Sequence, residues 1–251
     1  MKFTIGQYEL NVGIPDRVTL MDAVGERLSD RRGFALATLN LDHLVKLRDD
    51  MDFRAAYKAQ DFVVADGNPI IWMSHVAGQP VQLLPGSDLI LPLCELAARV
   101  GRSVALVGTT DDSLKRAAKV LEARVPGLSV SHCIAPPFGF DPQGVQADEI
   151  LRHLEADAAG LCFVALGAPK QELFAARGRA VAPSVGFASI GAGLDFLSGS
   201  QKRAPHWVRK VQLEWLWRML ENPHRMFLRY MRCFAVLPGH MLRSMRLRSG
   251  K

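Results

Sequence analysis

The sequence predicts an α/β fold, a mainly parallel sheet flanked by helices with a basic helical C-terminal appendage. Three observations carry this. Short apolar runs of strand length alternate with helix-length segments through the body of the chain, the pattern of a parallel sheet with crossover helices. Those runs end in glycine or small polar residues, where such sheets bind ligands. The charge is also divided: Lys202 to Lys251 hold twelve Lys/Arg and two acids, a net of +10, whereas the whole chain is +6, which leaves −4 for residues 1–201. The expected division is an α/β, Rossmann-like catalytic domain over 1–201 and a basic amphipathic helical appendage over 202–251.

Residues 2–10 read as a strand or hairpin turning near Gly6. Val18–Leu28 has helical spacing, and Phe34–Leu39 is a buried strand ending at Thr38 and Asn40. Residues 42–59 read as one helix. Asp61–Ala65 is the next strand, stopped by Asp66-Gly67, and Asn68-Pro69 opens a helix with proline where its missing N–H costs nothing. Gly86-Ser87-Asp88 offers another helix start with Ser87 as cap. Strands follow at Ser103–Val107, Leu128–Cys133, Leu161–Leu166 and Val185–Ile190, with helices from Asp111 and over 145–156.

The 251 residues are 49% hydrophobic and 22% charged, ordinary for a globular protein with a sizeable core. MKFTIGQYEL is polar too early for a signal peptide, and no apolar run reaches the roughly 18–20 residues that span a bilayer. A cytoplasmic protein, peripheral on the inner face of the membrane, is expected. Cys94, Cys133, Cys162 and Cys233 are widely spaced and read as reduced, mostly buried thiols. No two histidines stand at metal-ligand spacing, so no metal site is expected.

Five strand ends supply candidate site residues: Thr38/Asn40, Asp66, Gly108-Thr109, Gly167–Gln171 and Gly191–Asp195. Asp66 reads either as a general base on a pocket floor or as a turn aspartate bonding its own backbone. Asn40 reads as a substrate contact or as the cap of the following helix. Gly167-Ala-Pro169-Lys170-Gln171-Glu172 puts glycine, proline and donors at a helix N-terminus, which favours a diphosphate or sugar. Gly191-Ala-Gly193-Leu-Asp195-Phe196 lacks the third glycine of a dinucleotide fingerprint, but suits close backbone approach to a ligand. Asp50-Met-Asp52 matches a metal-binding D-x-D but sits in a charged helical stretch, where a solvated face is expected.

In the appendage, Arg218, Arg225, Arg229 and Arg232 fall on one helical stripe if Pro223 only restarts the helix. Phe227, Met231 and Phe234 line up beside it, Trp207, Trp215, Trp217 and Tyr230 suit a membrane interface, and Pro238-Gly239 is expected to break the helix. Anionic lipid is the first reading of this pattern. Packing on the body or on another subunit is the second, and nucleic acid the last.

Together these motifs resemble the WecG/TagA/CpsF family of bacterial glycosyltransferases. The matching pieces are Thr38-Leu-Asn40, Ala65-Asp66-Gly67 with Pro69, Gly86-Ser-Asp88-Leu89, Leu106-Val-Gly108, Gly167-x-Pro169-Lys-Gln-Glu172, Gly191-x-Gly193 with Asp195-Phe196 and Gly199, Arg203-Ala-Pro205, Glu214-Trp215, Arg218, Asn222-Pro223 and Arg229-Tyr230. The resemblance implies inverting, metal-independent transfer of a sugar from a UDP-sugar donor, with no cofactor, to a polyprenyl-diphosphate-linked sugar. It implies Asp66 as base, Thr38 and Asn40 in the pocket, Gln171 as the motif glutamine, and an appendage from Arg203 onward that reaches the membrane. One departure stands out: family members usually carry arginine three residues before the glycine of the Gly-x-Asp-Leu motif, and this chain has Leu83. That fits a different donor, a cation supplied by the tail, or reduced activity.

The reading is therefore a glycosyltransferase with catalytic Asp66, Thr38 and Asn40. Gly108, Gly167, Pro169, Lys170, Gln171, Gly191, Gly193, Asp195, Arg203, Arg218 and Arg225 bind substrate. The expected partners are a nucleotide-sugar donor, a polyprenyl-diphosphate-linked glycan and an anionic membrane surface, without nucleic acid. Self-association through the apolar tail stays open. The rival is a non-catalytic assembly protein that keeps the fold.

Overall fold

The computed structural model describes residues 1–5 and 8–249; the turn expected near Gly6 and the side chains of His206 and Arg225 lie outside the described residues. The chain opens with β1 (Lys2–Ile5) and β2 (Tyr8–Asn11), an antiparallel pair in which Phe3 faces Leu10. After α1 (Arg17–Ser29) comes β3 (Phe34–Leu39), then α2 (Leu41–Asp49), α3 (Met51–Lys58), β4 (Phe62–Ala65), α4 (Asn68–Val76) and α5 (Gly86–Arg99). The alternation continues through β5 (Val104–Gly108), α6 (Asp111–Arg124), β6 (Val130–Ile134), α7 (Val145–Ala156), β7 (Leu161–Ala165), α8 (Lys170–Val181), β8 (Gly186–Ser189) and α9 (Gly193–Ser198). The appendage is helical: α10 (His206–Lys210), α11 (Glu214–Glu221) and α12 (Pro223–Ser249).

The main sheet is six-stranded in the order β4-β3-β8-β7-β5-β6, and every pairing in it is parallel. Its strands read as continuous apolar runs because both faces are covered. Phe34 and Leu36 of β3 join one core with α1, α5 and α6, while Ala37 and Leu39 join the core on the opposite face. All C-terminal strand ends open on one side, where the polar motifs sit.

Several local expectations change. The segment 42–59 is two helices, because the Asp50 side chain accepts the Phe53 N–H and caps α3. The metal-type reading of Asp50-Met-Asp52 gives way to this cap. Ser87 does not cap α5: Pro85 stands at the cap and Ser87 lies in the first turn. Gly86 is buried there because a Cβ would come within 2.9 Å of the Ile190 Cα.

Pro238 does not break α12, which runs 27 residues through it. Proline removes one helix hydrogen bond, but Pro238 and Phe234, whose carbonyl is freed, are both exposed, so water can take that carbonyl. The opposite face of α12 holds the helix in place: Cys233, Val236, Leu237 and Met241 pack on the core. Arg218 belongs to α11 and Arg229 and Arg232 to α12, so the arginines do not form a single-helix stripe. The two helices are joined where Trp215 meets Tyr230 and Phe234 edge-on, with ring centroids 5.9 and 5.3 Å apart.

Candidate active site

β3 and β4 end side by side, with Thr38 paired to Val64 and Leu39 to Ala65. The Asp66 N–H donates to the Leu39 carbonyl at 2.7 Å. This fixes the carboxyl at the mouth between two strands. Gly67 follows at φ 90°, a left-handed conformation that leads into α4 and that glycine adopts without strain. Asn40 fulfils its capping reading and also stands beside Asp66. Its side-chain oxygen caps α2 by accepting the His43 N–H at 3.0 Å, and its amide lies close enough to act on Asp66.

Asp66 keeps partial exposure, yet protein surrounds it. Burial raises its carboxyl to about 6; Arg218 pulls down against that, Glu214 and Asp88 push up, and the Asn40 amide pulls down. A carboxyl in this range can take a proton near neutral pH. Thr38 is buried, and its carbonyl accepts the Tyr57 hydroxyl at 3.2 Å. Tyr57 in turn meets His43 Nδ1 at 2.6 Å. Burial holds His43 down to about 3, so the ring is neutral and the network braces the end of β3.

The other strand ends close the rim. Gly108 ends β5 so near β7 that a Cβ would sit 2.4 Å from the Ala165 carbonyl oxygen. Thr109 follows, donating to Asp195 Oδ1 at 2.5 Å, while Gln201 Nε2 holds Asp195 Oδ2 at 2.9 Å. Gly167 has open space at its Cα, and Pro169 stands at the N-terminus of α8. Gln171 is buried; its oxygen accepts the Gly191 N–H at 3.1 Å and its amide donates to Glu172 at 2.8 Å. Gly191 also opens on free space, whereas Gly193 is a packing glycine: a Cβ would meet Ile90 at 2.5 Å.

Lys170 also serves the scaffold. Its Nζ donates to the Phe140 carbonyl at 2.7 Å and fastens the loop before α7. This bond takes one of the ammonium's three N–H donors.

Two cations of the appendage stand near Asp66. The Arg203 and Arg218 guanidinium carbons lie 5.9 and 5.8 Å from the Phe196 ring centroid. Arg203 pairs with Asp88 at 2.5 Å and Arg218 with Glu214 at 2.7 Å. Both arginines, with Asp88 and Glu214, stand around Asp66 or its rim. Leu83 is half-buried and bridged to Ala65 at the end of β4. The side chain of Arg225, also expected to bind substrate, lies outside the described residues.

Sequence reasoning passed over several residues. Glu172 is fully buried and burial raises it to about 7; the bond from Gln171 acts against that, and one of its oxygens has no partner. Its place in the motif was visible but its burial was not. Glu214 and Arg218 form an i,i+4 pair that the helix period alone reveals. Asp42 binds Lys46 at 2.9 Å and Arg229 at 3.0 Å, and Lys46 also reaches the Ala168 carbonyl at 2.9 Å. Asp42 thus ties α12 to the site loop. The histidines also differ from expectation: His132, His153 and Asp157 come together, because the fold adds a strand histidine to a pair one helical turn apart.

The strand-end motifs and this geometry can be compared with known proteins. The model of the glycosyl transferase WecG/TagA/CpsF family matches residues 8–250. The chain belongs to this family of glycosyltransferases. Two relatives, from Bacillus spizizenii and Bacillus subtilis, are N-acetylglucosaminyldiphosphoundecaprenol N-acetyl-beta-D-mannosaminyltransferases. Each is 26% identical over 200 residues, covering 79% of this chain and 75% of the relative. No helix among the described residues is long and apolar enough to cross a membrane, and all four cysteines are free, as the sequence led one to expect.

Proposed function

We propose that this glycosyltransferase moves a hexose or N-acetylhexosamine-type sugar from a UDP-sugar to a polyprenyl-diphosphate-linked sugar, in the synthesis of a cell-surface polysaccharide. The names of the Bacillus relatives support the acceptor class. The observation that carries the mechanism is a carboxyl at the paired ends of β3 and β4, raised by burial to about 6, with Arg203 and Arg218 near it. The acceptor hydroxyl attacks the anomeric carbon opposite the leaving nucleotide, inverting it, and its proton passes to an Asp66 oxygen. As the glycosidic bond breaks, negative charge gathers on the departing diphosphate. Arg203 and Arg218, already gathered over Phe196, are the charge-assisted donors for it. Gln171 shapes the pocket by holding the Gly191 turn.

This assignment requires no metal in the reaction and puts the protein at the inner face of the membrane, where the acceptor lipid lies. Leu83 keeps the non-catalytic reading in view, since an apolar side chain stands at the rim. One assay separates them: UDP release with a short-chain lipid-diphosphate sugar acceptor, a panel of UDP-sugars and excess EDTA. Acceptor-dependent release that survives EDTA and falls at least about 100-fold in Asp66→Asn is expected. Wild-type-like turnover in that variant removes Asp66 as base. No release with any donor favours the non-catalytic protein.

A further inference from the structure

We propose that His132, His153 and Asp157 form an accessory site for a divalent transition metal of the zinc type, structural rather than catalytic. The ligand atoms of the three side chains lie within 4.8 Å of one another. His132 Nε2 is 2.9 Å, and His153 Nε2 3.6 Å, from the same oxygen, Asp157 Oδ2. Two imidazole nitrogens and one carboxylate oxygen are ligands that zinc and its neighbours accept. Ligands about 2.0–2.2 Å from a tetrahedral zinc stand roughly 3.3–3.5 Å apart, between the two distances observed.

The site is built from two elements, and local structure aims each part. His153 and Asp157 lie one turn apart at the end of α7, with Asp157 at its C-cap. His132 comes from β6. A register shift there leaves Ser131 without a partner: Val104 pairs with Val130 and Ala105 with His132. Such a bulge re-aims the side chains around it. Ser131 Oγ then lies 2.9 Å from His132 Nδ1 and 3.4 Å from the Val104 carbonyl. Whichever atom donates, the Ser131 hydroxyl holds the His132 ring by its Nδ1. A metal-ligating histidine is oriented in this way through its other nitrogen.

His132 Nε2 and Asp157 Oδ2 stand at hydrogen-bond distance. The second imidazole, 3.6 Å from the same oxygen, is too far to hydrogen bond and yet converges on it. One dication would take both ring nitrogens and the carboxylate oxygen together. Asp157 is half exposed and His153 more so, which leaves the remaining coordination position to water.

β6 is the edge of the sheet and β4 the opposite edge. Five strand spacings, about 24 Å, separate them, so the metal takes no part in the chemistry at Asp66. Its effect is to clamp an edge strand to the helix beside it, covering an edge that would otherwise invite pairing.

The test uses the full-length protein stripped with EDTA, desalted and titrated with zinc chloride by calorimetry, with cobalt(II) as an optical probe. One zinc per chain, a rise in melting temperature, and cobalt bands of a four-coordinate site are expected. His153→Gln changes an exposed side chain and should weaken binding at least tenfold, since even outer partners of metal ligands are worth 10–100-fold. Ser131→Ala should weaken it about tenfold for that reason. No saturable uptake, or uptake unchanged in His153→Gln, overturns the site. Transfer activity is read separately and should be equal with and without zinc, so failure of one proposal leaves the other standing.

Discussion

Asp66 is under two opposed demands. Burial raises its carboxyl from an ordinary 3.8 to about 6. Between those values the folded protein keeps a proton that the unfolded chain has released. The stability this group contributes is therefore present below about pH 4 and is lost as the pH rises through 6. The proposed role as base needs the ionised form, so activity should climb over the range in which this contribution disappears. Initial rates from about pH 5 to 8 should give a kcat/KM that falls tenfold per pH unit below about pH 6. Urea unfolding of Asp66→Asn near pH 7.5 should show a gain of about 1–2 kcal/mol, allowing for the partial solvent contact of the group. A flat rate profile through pH 5–7 removes the titrating base. The position of this carboxyl was legible in the sequence, because it ends an apolar run before a glycine. Its tuning was not: Arg218 and Glu214 lie about 150 residues further on. The same holds for Lys170, whose chemistry suits an anion but whose partner is a carbonyl on a loop that periodicity does not place.

At the scale of elements, boundaries set by composition were the legible ones. β3 occupies Phe34–Leu39 and α7 occupies 145–156 as the apolar periods indicate. The misreadings arose where a single side chain or a distant surface decides. Asp50 splits 42–59 by capping a new helix, and α12 passes through Pro238 because the body packs against its far side. That packing has a polar fastening at Asp42. Burial would raise Asp42, but Arg229 and Lys46 outweigh it and hold the carboxyl below the ordinary range. Asp42→Ala leaves two cations without their shared partner and frees Lys46 from one end of its link to Ala168. The variant should lose about 1.5–3 kcal/mol, with hydrogen exchange in α12 rising more than in the sheet. Equal protection of α12 in variant and wild type shows that the apolar contacts alone hold the helix.

The whole molecule is asymmetric in a way that concerns its substrate. α12 is about 40 Å long at 1.5 Å per residue and has two apolar faces. One, with Cys233, Val236, Leu237 and Met241, is turned to the core. The other exposes Phe227, Met231, Phe234, Leu242 and Met245. Arg232, Arg243 and Arg246 are exposed along the same helix. A surface of arginines and unshielded aromatic and aliphatic groups fits the head-group boundary of an anionic bilayer. The same helix carries Arg229, whose bond to Asp42 leads through Lys46 to the Ala168 carbonyl beside Pro169. On the proposed membrane location, lipid contact and site assembly would share this one helix. Replacing Phe227 and Met231 by serine removes outward apolar surface without touching the core face or the Trp215–Phe234 contact that joins α11 to α12. This double variant should lose sedimentation with phosphatidylglycerol vesicles at least tenfold, and its turnover of a long-chain lipid acceptor should fall in parallel. Its turnover of a water-soluble short-chain acceptor should stay within about twofold of wild type. Loss on both acceptors shows that the outward face serves the fold or the site itself. Unchanged vesicle binding assigns that face to a second copy of the chain, which analytical ultracentrifugation of the two proteins then reveals.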